Sequence, residues 1–360
     1  MDFPASIEAV HERIDFFDPI LYALTRNFLH GGVSYLSPYL SRGFITVPEV
    51  YQRLLQRGFS FPEMEKFVQE LAWREYYTRT WFQLGDGIFD DIRHPQEGVQ
   101  SQGIPLAVLE ARTGIHVIDE QLAQFPQHGY LHNHVRMYLA SIMCNVAHYH
   151  WSKPAAWMYY HLLDGDLASN ALSWQWCAGT FSQKRYFVNQ ENINHYTGTE
   201  QRGTFLDFSY EEIPQMATPK LLKERGDFVS EECPMAFNAL HIQEDLPTFI
   251  YTHYTIDPHF HRGELGNRIL VLEPSHFRRF PVSPKVMQFI LDLAFQIPEI
   301  QIFYGEYANL GISGIFRDHP INAHFQGKRE SYPFLVPELN GQYPSFFAYW
   351  NRLKKYLEKV

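Results

Sequence analysis

Residues 164–176 read Asp-Gly-Asp-Leu-Ala-Ser-Asn-Ala-Leu-Ser-Trp-Gln-Trp, and no other stretch limits the chain's folding options so strongly. Two carboxylates two positions apart, an amide four further on and a Trp-x-Trp pair sit in a segment otherwise suited to burial. Buried carboxylates and amides need partners inside the protein. Asp164, Asp166 and Asn170 therefore demand complementary groups from elsewhere. One reading is local: Asp166 and Asn170 cap a helix beside an aromatic cluster, as Asx residues commonly do. The other is a polar cavity that these groups line.

Other segments supply the complement. A stretch from about Pro62 to Leu84 reads as one helix. On it Glu70, Trp73, Arg74 and Tyr77 recur at i, i+3, i+4 and i+7, which places an acid, an indole, a guanidinium and a phenol on one face. A stripe of this spacing usually packs into a core; the acid and the arginine within it point to the wall of a polar cavity. A second helix, about Leu131 to His150, carries Asn133, Arg136 and Met137 in the same way. Gly31 to Gly43 is a Gly/Ser turn running into a helix start, where backbone amides suit a phosphate.

Taken in order, these segments resemble the FAD-binding helical domain of the photolyase/cryptochrome family. The correspondences are Ser34 to Leu40 for Ser-x-Leu-Ser-Pro-Tyr-Leu, Glu70 to Tyr77 for Glu-Leu-x-Trp-Arg-Glu-Phe/Tyr-Tyr, and Thr113 to Asp119 for Thr-Gly-x-x-x-Ile/Val-Asp. His132 to Met137 stands for His-Asn-x-x-Arg-Met, and Asp164 to Trp176 for Asp-x-Asp-x-x-x-Asn-x-x-x-Trp-Gln-Trp. Five motifs in order, over roughly residues 10 to 200, carry the resemblance.

The resemblance implies a flavin dinucleotide folded into a U. Ser34, Tyr35, Leu36 and Ser37 would face its diphosphate, flanked by Tyr22 and Arg26. Val33 stands where relatives commonly have threonine. Arg136 would lie over the flavin and pair with Asp164 in a bidentate contact; Arg74 and Asn133 would line the same pocket. Asp166 would face the pyrimidine edge or ribose, and Asn170 the flavin N5. By the same resemblance, excited reduced flavin passes an electron to a cyclobutane pyrimidine dimer flipped out of DNA. Trp73 would stack on that lesion, worth ~1–3 kcal/mol, Glu70 would hydrogen-bond it, and Asn133 and Met137 would complete the pocket. Relatives acting on the other class of pyrimidine photoproduct place histidines at those last two positions; His134 is one residue out of register. Trp174 and Trp151 match the inner members of an electron-transfer chain. The usual distal tryptophan is missing from residues 89–106, which leaves either a tyrosine or Trp157 as its substitute or a truncated chain. The alternative function is a cryptochrome-like photoreceptor without repair activity.

Composition fits an aromatic cofactor and argues against tight duplex binding. Aromatic residues make up 16% of the 360 residues, while Asp+Glu exceed Lys+Arg by 40 to 30. Phosphate contacts draw on basic side chains, so a single-stranded substrate suits this chain better. Cys144, Cys177 and Cys233 are scattered, which implies a reducing compartment and neither a disulfide framework nor an iron–sulfur cluster. No signal peptide or membrane-spanning run is apparent, so a cytoplasmic protein without membrane partners is expected. His253, His259 and His261 beside Asp257 are assigned to chance clustering among 18 histidines, and no metal site is expected.

The expected fold is mainly α, in three parts: a helical FAD-binding domain over residues 1–205, a connector over 206–245, and a small α/β domain over 246–360. In the last, Arg268 to Glu273 and Ile300 to Tyr304 read as buried parallel strands. Thr248 to His253 is a third candidate strand. Ser283 and Pro284 read as N-cap and first residue of a helix to about Gln296, and Pro344 to Lys359 as a closing helix. This βαβ unit resembles part of the α/β domain that precedes the FAD domain in relatives, here permuted or reduced; an antenna chromophore is unsupported.

Overall fold

The computed structural model describes residues 2–182, 184–231, 235, 237 and 239–359, so Cys233 lies outside the described residues. The chain forms two compact units, each built from non-contiguous segments. A helical unit comprises Leu24–Val33 and Leu84–Ser230; an α/β unit comprises Asp2–Ala23, Ser34–Gln83 and Glu231–Val360.

The helical unit contains the helices His116–His128, Asn133–Ala140, Ser152–His161, Leu167–Ala178 and Gln190–Thr197. Its local stops follow from side-chain chemistry. The Asp119 carboxylate accepts hydrogen bonds from the Thr113 amide (2.6 Å), the Thr113 hydroxyl (2.7 Å) and the Gly114 amide (3.0 Å). The Thr-Gly-x-x-x-Ile-Asp motif is thus a turn lashed to the first turn of the next helix. Gly129 ends that helix at φ 67°, and a Cβ there would approach Leu163 Cγ to 2.7 Å, so glycine is required. The helix expected to run to His150 is shorter. After Ala140 it continues as a π-helix over Ser141–Val146 and stops. There the Asn145 amide donates to the carbonyls of Cys177 (2.9 Å) and Tyr186 (2.7 Å), and His148 follows with φ 59°. Trp151, Trp157 and Trp174 share one core with Phe125, Leu139 and Ile142. Of the expected connector, residues up to Ser230 belong to this unit, and Ile213 and Leu222 are buried in its core.

The α/β unit is built on a five-stranded parallel sheet: β1 Thr248–Tyr251, β2 Asn267–Leu272, β3 Ile300–Tyr304, β4 Gly314–Arg317 and β5 Gly327–Glu330. Their spatial order is β3-β2-β1-β4-β5, with Ile250 opposite Ile269 and Phe249 opposite Ile315. Every residue of β1 and β2 is buried, which is why both read as unbroken apolar runs. The sequence reading stops at three strands and a βαβ unit; two more are present. β4 has two apolar residues and β5 none, with β5 largely exposed at the sheet edge, so neither shows the pattern that marks a strand. Ser283 caps the helix Pro284–Ala294 as expected, accepting from the Val286 amide at 3.3 Å.

The long helix Phe61–Leu84 belongs to this unit almost entirely, and its partner is the closing helix Phe346–Leu357. Glu75, almost fully buried, accepts the Tyr349 hydroxyl at 2.6 Å and the Leu335 amide at 2.6 Å. Burial pushes its pKa up to about 7, against the lowering effect of both hydrogen bonds. Among the described residues no helix is long and apolar enough to cross a membrane.

Candidate functional site

In the helical unit, Arg136 stands one turn into its helix and reaches the loop before Leu167–Ala178. Its Nη2 donates to Asp164 Oδ2 at 2.9 Å, and the Asp164 carboxyl is buried. Nε is committed to the Leu131 carbonyl at 2.9 Å. The expected two-armed, side-on grip is therefore not formed; one charge-assisted bond remains. Two residues on, Asp166 is the N-cap of Leu167–Ala178 and accepts from the Ser169 amide at 2.7 Å. Of the local reading, Asp166 caps the helix, while Asp164 pairs with Arg136. Asn170, one turn along, donates to the Ala155 carbonyl at 2.9 Å, which fixes its amide plane.

Asn133 and Met137 lie on the same helix as Arg136. The Asn133 amide contacts Met137 Sδ at 3.7 Å, and Asn133 is exposed. Beside them burial pulls His132 and His134 down to about 4, so both are neutral at ordinary pH. His132 Nδ1 accepts from the His134 amide at 3.2 Å, and the His134 ring stacks on Tyr196 at 5.0 Å.

Trp151 and Trp174 are both buried. The Trp151 Nε1 donates to Asp91 at 2.7 Å, and its backbone amide to Gln96 Oε1 at 2.9 Å. The segment that lacks a distal tryptophan therefore still contacts Trp151. The glutamine of Trp-Gln-Trp is structural: fully buried Gln175 donates to the Ile88 carbonyl at 2.7 Å and accepts from the Ile92 amide at 3.2 Å. Trp176 is 37% exposed and sits 5.9 Å from the Tyr186 ring, an outward aromatic pair that the sequence reading passed over. Asn189 caps its helix through the Asn192 amide, Gln190 donates to Asn194 Oδ1, and Asn194 donates to the Gln201 carbonyl beyond the helix.

In the α/β unit, Ser34 to Ser37 form a tight turn. Tyr35 takes a left-handed φ of 52°, Ser34 Oγ accepts from the Leu36 amide at 3.4 Å, and the five-residue helix Ser37–Ser41 follows. Tyr22 packs edge-on against Phe17 and Phe67. Along the long helix Glu70, Trp73 and Arg74 are each half-buried. Arg74 donates to Ser41 Oγ at 2.7 Å and lines a small cleft, partly open to solvent, with Thr46, Tyr254, Asp257, Arg317 and Tyr332. Trp73 lies flat on Phe346, ring centroids 3.6 Å apart and planes 9° from parallel. One face of the indole expected to stack on a base is covered by this ring. Nothing in the spacing of residues 344–359 announces that contact.

The chain matches known proteins over the same ground. Residues 67–251 fit the family described as the FAD binding domain of DNA photolyase. That span includes four of the five motifs; Ser34 to Leu40 lies before it. The chain is similar to the deoxyribodipyrimidine photo-lyase of Streptomyces griseus, 31% identical over 153 residues, which cover 42% of this chain and 33% of that one. It is equally similar, 31% over 185 residues, to the enzyme of that name from Agrobacterium fabrum, covering 49% of this chain and 39% of the relative. The chain thus spans between a third and two-fifths of the length of these curated relatives. Among solved structures, a Synechocystis cryptochrome aligns at 21% identity and TM-score 0.48, over 54% of this chain and 44% of that one. A class III photolyase from Agrobacterium tumefaciens aligns at 26% identity and TM-score 0.45, over 53% and 42%.

Proposed function

The chain belongs to the photolyase FAD-binding-domain family, and from that premise we propose that it binds FAD and uses light to split cyclobutane pyrimidine dimers in DNA, single-stranded by preference. The observation that carries the reading is the Arg136–Asp164 pair beside an oriented Asn170. A flavin that cycles between redox states needs a fixed cation near its ring and a neutral amide at the edge where protons come and go. These residues supply both kinds of group in one unit.

In this reading Arg26, Asn133, Arg136, Asp164, Asp166 and Asn170 of the helical unit hold the flavin. In the α/β unit, the family resemblance assigns cofactor contacts to Tyr22, Ser34, Tyr35, Leu36, Ser37 and Arg74. FAD supplies the light-driven electron. The same resemblance assigns lesion contacts to Asn133 and Met137 in the helical unit and to Glu70 and Trp73 in the α/β unit, and Trp174 and Trp151 relay electrons inward. The parallel sheet of the α/β unit supports reading residues 246–360 as the family's α/β domain in a permuted position.

The photoreceptor reading has two observations in its favour. Phe346 covers one face of Trp73, and an acidic chain of net charge −10 binds phosphate backbones poorly. One assay separates the two readings. The purified protein is photoreduced and illuminated with dimer-containing oligonucleotides, single- and double-stranded. Loss of dimers from the single strand is expected. A flavin that photoreduces while both substrates keep their dimers selects the photoreceptor; a chain that takes up no FAD overturns both.

A further inference from the structure

Three side chains from separate elements of the α/β unit converge at its surface. His11 stands on the helix Ile7–Phe16, Glu49 in the first turn of Val47–Gln56, and His259 in the loop after β1. His11 Nε2 lies 2.8 Å from Glu49 Oε1 and His259 Nε2 lies 4.0 Å from the same oxygen. All the donor atoms are within 4.8 Å of one another. The two imidazoles are nearly parallel, 5° between planes with centroids 6.5 Å apart, and the carboxylate oxygen stands between their nitrogens.

We propose that His11, Glu49 and His259 bind a borderline divalent metal ion of the zinc type, with water completing the coordination. Two imidazoles and one carboxylate form a donor set that zinc accepts readily, at bond lengths of about 2.0–2.2 Å. Those lengths put tetrahedral donors about 3.4 Å apart. The His11–Glu49 separation must open, and the His259–Glu49 separation close, by about 0.6 Å each, which is within side-chain adjustment.

The framework around the three is already set. Glu49 is held in its helix turn by Thr46, whose hydroxyl accepts from the Glu49 amide at 3.3 Å. The His259 backbone amide donates to Asp257 Oδ1 at 2.8 Å, which fixes the loop. The side chains are 25%, 23% and 40% exposed, so an ion has an open path in. The Glu49 carboxylate adds a negative charge to the donor set, which favours a dication. Glu8 stands one helical turn before His11 and adds a second carboxylate nearby.

The histidines that cluster in the sequence separate in the structure. His253 is buried, and His261 is bonded to Glu264 and Glu330. Only His259 faces the trio, and its partners come from nearly 250 and just over 200 residues earlier in the chain. Binding would tie the N-terminal helices of the unit to its sheet loop and raise the unfolding temperature.

The test uses the full chain freed of metal by chelation and titrated with zinc against a chromophoric competitor. Wild type is expected to bind one equivalent tightly, and cobalt in its place to give the intense visible spectrum of low-coordinate histidine ligation. His259→Ala sits on an exposed loop and should fold normally; it and Glu49→Gln should weaken binding by roughly a hundredfold or more. His261→Ala should bind as wild type does. Wild type without a stoichiometric site, or His259→Ala with unchanged affinity, overturns the proposal. Neither result touches the flavin reading, which is scored by FAD content.

Discussion

Trp73 and Phe346 lie face to face at 3.6 Å, linking the long helix to the closing helix of the same unit. Tyr76 meets the same phenylalanine edge-on at 6.0 Å, and Phe346 itself is buried. Phe346→Ala should therefore destabilise the unit by about 3 kcal/mol through cavity formation. A double-mutant cycle with Trp73→Leu and Phe346→Leu should give a coupling of about 1 kcal/mol, read from denaturant midpoints. Strictly additive effects would show that the stack contributes nothing beyond buried area.

Glu75 makes stability depend on pH. Its folded pKa is raised by burial from 4.5 to about 7, so the folded chain keeps a proton that the unfolded chain gives up. The stabilising contribution is fully present below about pH 4.5 and is lost as pH rises through about 7, on the order of 3 kcal/mol in all. Glu75→Gln keeps an acceptor for the Leu335 amide and an NH₂ group that can donate to Tyr349. It should flatten the fall in urea midpoint between about pH 5 and about pH 8. A wild-type slope retained in the variant would assign the dependence to another group.

The Arg136–Asp164 pair should matter for both folding and flavin. Asp164→Asn keeps the shape but removes the charge that faces a mostly buried guanidinium, at a cost of about 2–4 kcal/mol. Retained FAD after gel filtration should drop with it. Arg136→Met combined with Asp164→Asn should cost less than the two single changes added together. Full FAD retention in Asp164→Asn would remove this pair from the flavin site.

Asp119 secures the turn before His116–His128 with three hydrogen bonds. Asp119→Ala should cost about 2 kcal/mol, and Thr113→Val about 1 kcal/mol, because caps are lost and the Thr113 and Gly114 amides lose their acceptor. Thermal unfolding of the variants checks this, with FAD content expected to stay near wild type once the protein is folded.

What the sequence discloses is chiefly what local chemistry enforces. Ser283-Pro284 marks a helix start because the hydroxyl and the ring act within three residues. The apolar run of β2 marks a strand because both its faces are covered. Arg136 and Asp164 were legible as partners only through the family motifs that carry them. The Phe346 stack, the Glu75–Tyr349 bond and the His11–Glu49–His259 trio join residues more than 200 positions apart in the chain and leave no periodic trace. Strands β4 and β5 were hidden because an exposed edge needs no apolar pattern. The end of the second helix at Val146 was hidden because Asn145 bonds to carbonyls of Cys177 and Tyr186, well downstream.

The way the α/β unit is assembled decides how the gene may be cut. A fragment starting at Glu231 would carry all five strands yet lose the long helix and with it the cover of Phe346, Tyr349 and Trp350. Such a piece should aggregate when expressed alone and recover solubility when residues 2–83 are supplied alongside it.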